Sequence, residues 1–329
     1  MKRKLYIHVG PHKTATSAIQ GYFVAQGTSS LLYPKTGRWT DGAHHKLSFA
    51  ARGIDDYGTI AVPAWSELLE ALDKEIAAST TDILLSSEEA TPALIDALAP
   101  TIAKHDLMVI FILVLRNPIE RAASLYNQWV KDPATGVDED PDTYLENHIQ
   151  EFEFKRVYEK WKSLNRPLIV VPFKSKLPLV QRFCAAINEP YHKPSTEELL
   201  NPSMGGAALL AMLLANKLSN DENQRRSFFD QLVDDAQFHI WRGESFPFSH
   251  IACEKFFNAI QPDIEWVVKT FSFERTPLKN PHKQRFSLTI EEQQSIYQHL
   301  EKANLTPTDK QVIAQTIKPF ALTSQTIES

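Results

Sequence analysis

The stretch Leu5-Tyr6-Ile7-His8-Val9-Gly10-Pro11-His12-Lys13-Thr14-Ala15-Thr16-Ser17-Ala18-Ile19-Gln20 constrains this chain more than any other. Leu5 to Val9 is rich in β-branched and aromatic residues and is stopped by Gly10-Pro11, the pattern of a short buried strand. Beyond the turn, Ile19, Tyr22 and Phe23 fall at helical spacing, so a helix is expected to open near Thr14 to Ser17. The first amides of a helix have no intrahelical acceptor, and the helix dipole places partial positive charge there. Lys13 adds a full charge, and Thr14, Thr16 and Ser17 add short donors. A strand, a tight turn and a helix start of this kind form a phosphate site.

The rest of the chain supplies a fold for that turn. Leu31-Leu32-Tyr33-Pro34 reads as a second short strand, and Pro63 to Ala78 as a helix with proline in its first turn. Asp82 to Ser87 is a third strand, running into Glu88-Glu89, and Thr91-Pro92 caps a helix that continues to about Lys104. Leu107 to Leu115 is the most apolar run in the chain and suits a central strand buried on both faces. Asn117-Pro118-Ile119-Glu120 then opens a helix to about Lys131, close to a capping box. Asp132 to Asp142 reads as an acidic loop, Tyr144 to Leu164 as one long helix, and Leu168 to Val171 as a fifth buried strand. Strands alternating with helices predict an α/β fold, a parallel sheet of about five strands in a three-layer α/β/α arrangement.

Beyond Lys176 the chain reads as helical, over Leu179 to Ile187, Glu197 to Leu218, Gln224 to His239, Ser249 to Phe271 and Thr289 to Ala303. Asn280-Pro281-His282-Lys283 marks a late linker. The expected organisation is an α/β domain over 1–280 followed by a helical extension over 281–329.

Ligands of open parallel sheets bind beyond the carboxyl ends of the strands. The first strand delivers Lys13 and its hydroxyls there, the third Ser86-Ser87-Glu88-Glu89, and the fourth Arg116. Arg116 at a strand end and Ser124, eight residues on, have the chemistry to grip one phosphate, a guanidinium fork and a hydroxyl. The turn does not match the nucleoside-triphosphate pattern G-x-x-x-x-G-K-[ST], because Pro11-His12 stands where the second glycine belongs. A magnesium-holding strand would also end in aspartate, where this one ends in Arg116.

Gly10-Pro11-His12-Lys13-Thr14-Ala15-Thr16-Ser17 resembles the 5′-phosphosulfate loop of sulfotransferases that use 3′-phosphoadenosine 5′-phosphosulfate (PAPS), with Ala15 where that family usually has glycine. Arg116 to Tyr126 resembles the family's 3′-phosphate motif, and Phe152 to Phe173 and Asn201-Pro202-Ser203 resemble the middle of bacterial members. The likeness covers about residues 4 to 220; from about Gln224 on the match is poor, and the Arg-Lys-Gly element near the end of many cytosolic members is missing. The resemblance implies sulfuryl transfer from PAPS to a hydroxyl or amine of a small-molecule or glycan acceptor, with no metal. It implies Gly10 to Ser17, Arg116 and Ser124 as donor-binding residues. Lys13 would neutralise the leaving 5′-phosphate, or serve affinity alone. Glu88 would be the base, with a pKa raised by burial, and His44 or His45 is the rival. His8 and His12 read as loop structure. The alternatives are a kinase-like phosphotransferase and a nucleotide-binding module without turnover.

Composition trims the list further. Thirty-five Lys and Arg against forty Asp and Glu give a net charge of −5, which makes no general case for nucleic acid. Two cysteines, Cys184 and Cys253, suggest neither a disulfide framework nor a metal site. The apolar stretch before Pro11 is too short for a secretory signal, and no run of about 18 apolar residues is present to span a membrane. The expectation is a cytoplasmic protein.

Overall fold

The computed structural model describes residues 2–28, 30–57, 60–193, 204–234, 245–274, 278, 283–300 and 306–321 of the 329-residue chain. In chain order its elements begin with β1 (Lys4–His8), α1 (Thr16–Gln26), β2 (Leu31–Leu32), α2 (His45–Ala50), β3 (Asp56–Tyr57) and β4 (Ile60–Ala61). Then come α3 (Trp65–Ala77), β5 (Asp82–Ser86), α4 (Pro92–Lys104), β6 (Met108–Leu115), α5 (Pro118–Lys131), α6 (Pro141–Asn147) and α7 (Phe154–Lys162). The last strand is β7 (Leu168–Pro172), followed by α8 (Leu179–Ala186), α9 (Gly206–Leu218), α10 (Glu222–Asp234), α11 (His250–Phe271), α12 (Ile290–Leu300) and α13 (Pro307–Ile317). The chain divides into two units: Met1–Arg121, Glu153–Leu200 and Pro262–Lys279 form the first, and Ala122–Phe152, Asn201–Gln261 and Asn280–Ser329 the second. One of these divisions falls at 279/280, beside the expected linker, of which residues 280–282 lie outside the described residues.

The first unit is built on a parallel five-stranded sheet in the order β2-β5-β1-β6-β7. The chain leaves β1 for β2 on one side, returns through β5, then crosses β1 to β6 on the other. The order therefore reverses at β1, and the turn after β1 stands at the switch point where open sheets leave a crevice. β6 is apolar throughout because both its faces are covered. Ile110, Ile112 and Val114 join Tyr6, Leu84 and Val171 in a core with Ile19, Tyr22 and Phe23 of α1 and Phe183 and Cys184 of α8. On the opposite face the alternate residues Leu5, Ile7, Leu85, Val109 and Leu113 are equally buried, and Phe111 meets Trp161 of α7 with ring centroids 5.0 Å apart. Three layers result, as the alternation of strands and helices predicts.

In the second unit α9 is buried along nearly its whole length, with α10, α12 and α13 packed around it. A helix that is apolar all round has to be surrounded in this way. Asn216 near its end donates to the carbonyls of Val130 and Val137 at 2.9 and 2.8 Å.

Several sequence expectations need correction. Tyr144 to Leu164 is not one helix: α6 ends at Asn147, a 3-10 turn spans Ile149–Phe152, and α7 starts afresh at Phe154. The restart has a distant cause, since the Asp263 carboxylate accepts from the amides of Phe154 and Lys155 at 2.9 and 2.7 Å. β7 is an edge strand, and only Val171 of it is fully buried. The stretch after His44 forms α2, residues 56–61 add the small antiparallel pair β3–β4, and α13 also goes beyond the sequence reading. The expected helices over 197–203, 235–239 and 301–303, and the Asn201-Pro202-Ser203 stretch, lie outside the described residues. Cys184 and Cys253 are buried free thiols.

Candidate phosphate-loop site

The turn between β1 and α1 runs over the ends of two neighbouring strands. The β1 ladder continues past His8: Val9 donates to the Ile112 carbonyl, Gly10 accepts from Val114, and Ser87 donates back to His8, at 3.1, 3.1 and 2.9 Å. Gly10 has φ +84°, and a Cβ there would lie 3.1 Å from Glu88 Cβ. Only glycine lets the β1 turn come this close to the end of β5. Lys13 and Ala15 also hold positive φ, 65° and 60°. Ala15 thus adopts the left-handed conformation that glycine takes without strain, which costs a residue with a side chain about 1–2 kcal/mol. Strain of this kind persists where surrounding contacts over-determine the backbone.

Those contacts come from two arginines. Arg116, just beyond β6, donates through Nη1 to the Lys13 carbonyl at 2.6 Å and lies over the Phe173 ring, 4.8 Å from its centroid. Arg121 on α5 is buried and donates through Nε to the His12 carbonyl at 3.1 Å. A trans peptide points its N–H opposite its C=O, so carbonyls held toward the guanidinium groups turn the amides that follow them the other way. Backbone amides gathered in such a turn make a concavity suited to an anion. The amides of Thr16 and Ser17 add the open end of α1. Arg116 Nε is buried without a hydrogen-bond partner among the described residues, and burial lowers the Arg116 pKa against the opposing charge of Glu120. An orphaned, buried guanidinium N–H at the end of β6 fits an anionic partner such as a phosphate.

Two of the three hydroxyls, those of Thr14 and Thr16, bond within the protein. Thr14 Oγ1 donates to the Pro11 carbonyl at 2.7 Å and so braces the turn. Thr16 Oγ1 donates to Glu88 Oε1 at 3.0 Å. Glu88 Oε2 accepts from Gln20 Nε2 at 3.0 Å and lies 3.8 Å from His45 Nε2. His45 opens α2, with Nδ1 2.9 Å from Ser87 Oγ, and Ser48 donates to that same hydroxyl at 2.9 Å. Of the three expected catalytic residues, all in the first unit, Glu88 and His45 come together just beyond β5, while Lys13 lies in the turn after β1. Burial by itself would raise the Glu88 pKa; the charge of His45, its own amide, Gln20 and His12 outweigh burial and hold it below the usual carboxylate value. The expectation of a raised pKa is thereby corrected, and Glu88 is ionised at neutral pH.

The remaining histidines separate clearly. His8 is not a loop residue: it is buried in β1, with Nδ1 2.9 Å from Ser86 Oγ and its ring edge-on to Phe183. His12 does lie in the turn, its Nε2 3.4 Å from Glu89 Oε1. His44 is buried, accepts from the Ser86 amide through Nδ1 at 3.1 Å and faces the Pro34 carbonyl through Nε2 at 2.9 Å. Both of its nitrogens are engaged in structure, which removes it as a base. Ser124 lies two turns along α5, half-buried, and is counted in the second unit. Arg121 and Gln20 went unread in the sequence. Gln20 had a usable signal, since it follows Thr16 by four residues and shares its helix face.

Burial pushes His8 and His44 down to about 4. A histidine depressed in this way folds in its neutral form. Its contribution is complete above the unfolded value near 6.5 and is lost progressively as pH falls from there toward 4. Urea unfolding should show stability falling between pH 6.5 and 5 by up to about 1.4 kcal/mol per pH unit for each such histidine. His44→Asn should remove one histidine's share of that slope; an unchanged slope would mean that His44 is charged in the folded state.

Among the described residues no group of three or more His, Cys, Asp or Glu side chains is placed to hold a metal ion, and no helix is long and apolar enough to cross a membrane. No family model matches the chain, and no curated protein matches it.

Proposed function

We propose that the chain is a PAPS-dependent sulfotransferase, cytoplasmic in location, acting on a hydroxyl of a small-molecule or glycan acceptor. One observation carries this reading. At the switch point of the sheet, the turn that carries Lys13 is held by Arg116 and abuts Glu88, whose carboxylate lies 3.8 Å from His45. The donor supplies an activated sulfuryl group on a 5′-phosphate, together with a 3′-phosphate that serves recognition.

In this reading the amides from Lys13 to Ser17 and the end of α1 bind the 5′-phosphosulfate, and Arg116 binds the 3′-phosphate. Lys13 offsets the charge that develops on the 5′-phosphate oxygen, a stabilisation that matters most at the transition state. Glu88 accepts the acceptor's proton, and His45 beside it stabilises the carboxylate between turnovers. Positioning and electrostatics then dominate catalysis, as they do in phosphoryl transfer. Arg116 at the end of β6 stands against a kinase, which needs a carboxylate for magnesium there.

Thermal unfolding with adenosine 3′,5′-bisphosphate, 5′-AMP and Mg·ATP, on wild type and Arg116→Ala, tests the donor site. A ligand at about a hundred times its Kd should stabilise by roughly 2.7 kcal/mol. The expected result is stabilisation by the bisphosphate in wild type, much reduced in the variant and much weaker with 5′-AMP. Stabilisation by Mg·ATP alone, indifferent to Arg116, would replace the sulfotransferase reading with a kinase.

A further inference from the structure

Glu88 is a carboxylate that α1 itself grips. Thr16, the first residue of α1, donates to one oxygen at 3.0 Å, and Gln20, one turn later, donates to the other at 3.0 Å. Gln20 is fully buried, and its amide nitrogen also lies 3.1 Å from Ser86 Oγ, the hydroxyl that meets His8. A carboxylate bound at both oxygens by the same helix face has a fixed plane. The helix that fixes it is the one whose N-terminus closes the turn at Lys13, Thr14 and Ala15. Gln20 is buried within α1, one turn beyond Thr16.

We propose that Gln20 is a positioning residue which, with Thr16, fixes the Glu88 carboxylate toward the acceptor, so that one turn of α1 sets both the donor loop and the base. This rests on the sulfotransferase reading above. The acceptor's O–H proton passes to Glu88, and the acceptor oxygen's electron pair forms the new O–S bond. The S–O bond to the donor's 5′-phosphate breaks, its electron pair leaving on adenosine 3′,5′-bisphosphate. In-line geometry leaves little tolerance, so a base anchored to the donor-binding helix keeps its distance to the sulfur when the loop is loaded. The groups facing Glu88 are His45 from α2, His12 in the turn, His8 on β1 and Tyr33, with Glu89 adjacent in sequence.

The test is Gln20→Met, close in volume and without a donor, with Thr16→Val and Thr16→Ser alongside. Gln20→Met should lower kcat about tenfold, leave the donor KM within about twofold, and shift the acid limb of the kcat profile to higher pH. Thr16→Ser should retain the wild-type profile where Thr16→Val loses it. A packing role alone would lower the Tm of Gln20→Met without moving the acid limb, and that result overturns the proposal. Carbon-13 NMR titration of the Glu88 carboxyl reads the same clamp without turnover. It should titrate at higher pH in Gln20→Met, and an unmoved titration overturns the clamp. Absence of turnover and of bisphosphate stabilisation in wild type would defeat the sulfotransferase reading instead, leaving the NMR result to decide the clamp.

Discussion

Lys13→Met is expected to lower kcat by about a hundred- to a thousandfold while changing the donor KM far less. The lysine sits in a turn whose backbone is already set by Gly10, Ala15 and the two arginine contacts. Methionine keeps the aliphatic stem and accepts the same strained φ of 65° about as well as lysine does. The substitution therefore removes the ammonium and little else. If that charge acts on the leaving phosphate oxygen, the loss falls on the chemical step, because charge grows there only as the S–O bond breaks. A lysine used for affinity alone gives the opposite split, a raised donor KM with kcat intact, and would strike Lys13 from the catalytic set. Steady-state kinetics over a range of PAPS concentrations separates the two.

Glu88→Gln should lower kcat by about two to four orders of magnitude, the usual worth of a positioned general base. The amide is nearly isosteric and still accepts one of the two hydrogen bonds from Thr16 and Gln20. Its NH2 must then face the other donor, so a modest loss of stability is expected as well. Bisphosphate stabilisation measured on the same variant keeps the two effects apart, since in the proposed reading the donor is bound by the turn and Arg116. Unimpaired turnover would remove Glu88 from the mechanism and leave His45, 3.8 Å away, as the base. His45→Gln then becomes the decisive variant.

The site also shows why its parts differ in legibility. Lys13, the hydroxyls and Arg116 follow directly from strand ends, since an apolar run broken by a polar cluster announces itself in the chain. What those side chains do there depends on partners far away in sequence. Thr14 and Thr16 look alike as donors, yet one braces the Pro11 carbonyl and the other crosses to Glu88. His44 and His45 are adjacent in sequence, yet one is locked to the Ser86 amide and the other faces the carboxylate. Glu88 was expected to be raised by burial, and the surrounding donors and imidazoles reverse the sign.

The sequence by itself determined the parallel sheet, the turn after β1, the start of α4 at Thr91-Pro92, where Thr91 makes no capping hydrogen bond, and the cap of α5, because these depend on neighbours. Strand length, apolar continuity and the residue at a helix start act over a few positions, and Asn117 Oδ1 indeed accepts from the Ile119 and Glu120 amides. Tertiary structure alone decided the break before α7, where Asp263 caps a helix from more than a hundred residues away. It also decided the grip of Arg121 on the His12 carbonyl and the clamp on Glu88. Periodicity reports which face of a segment is apolar, whereas these contacts depend on which distant groups the sheet order brings within hydrogen-bond reach.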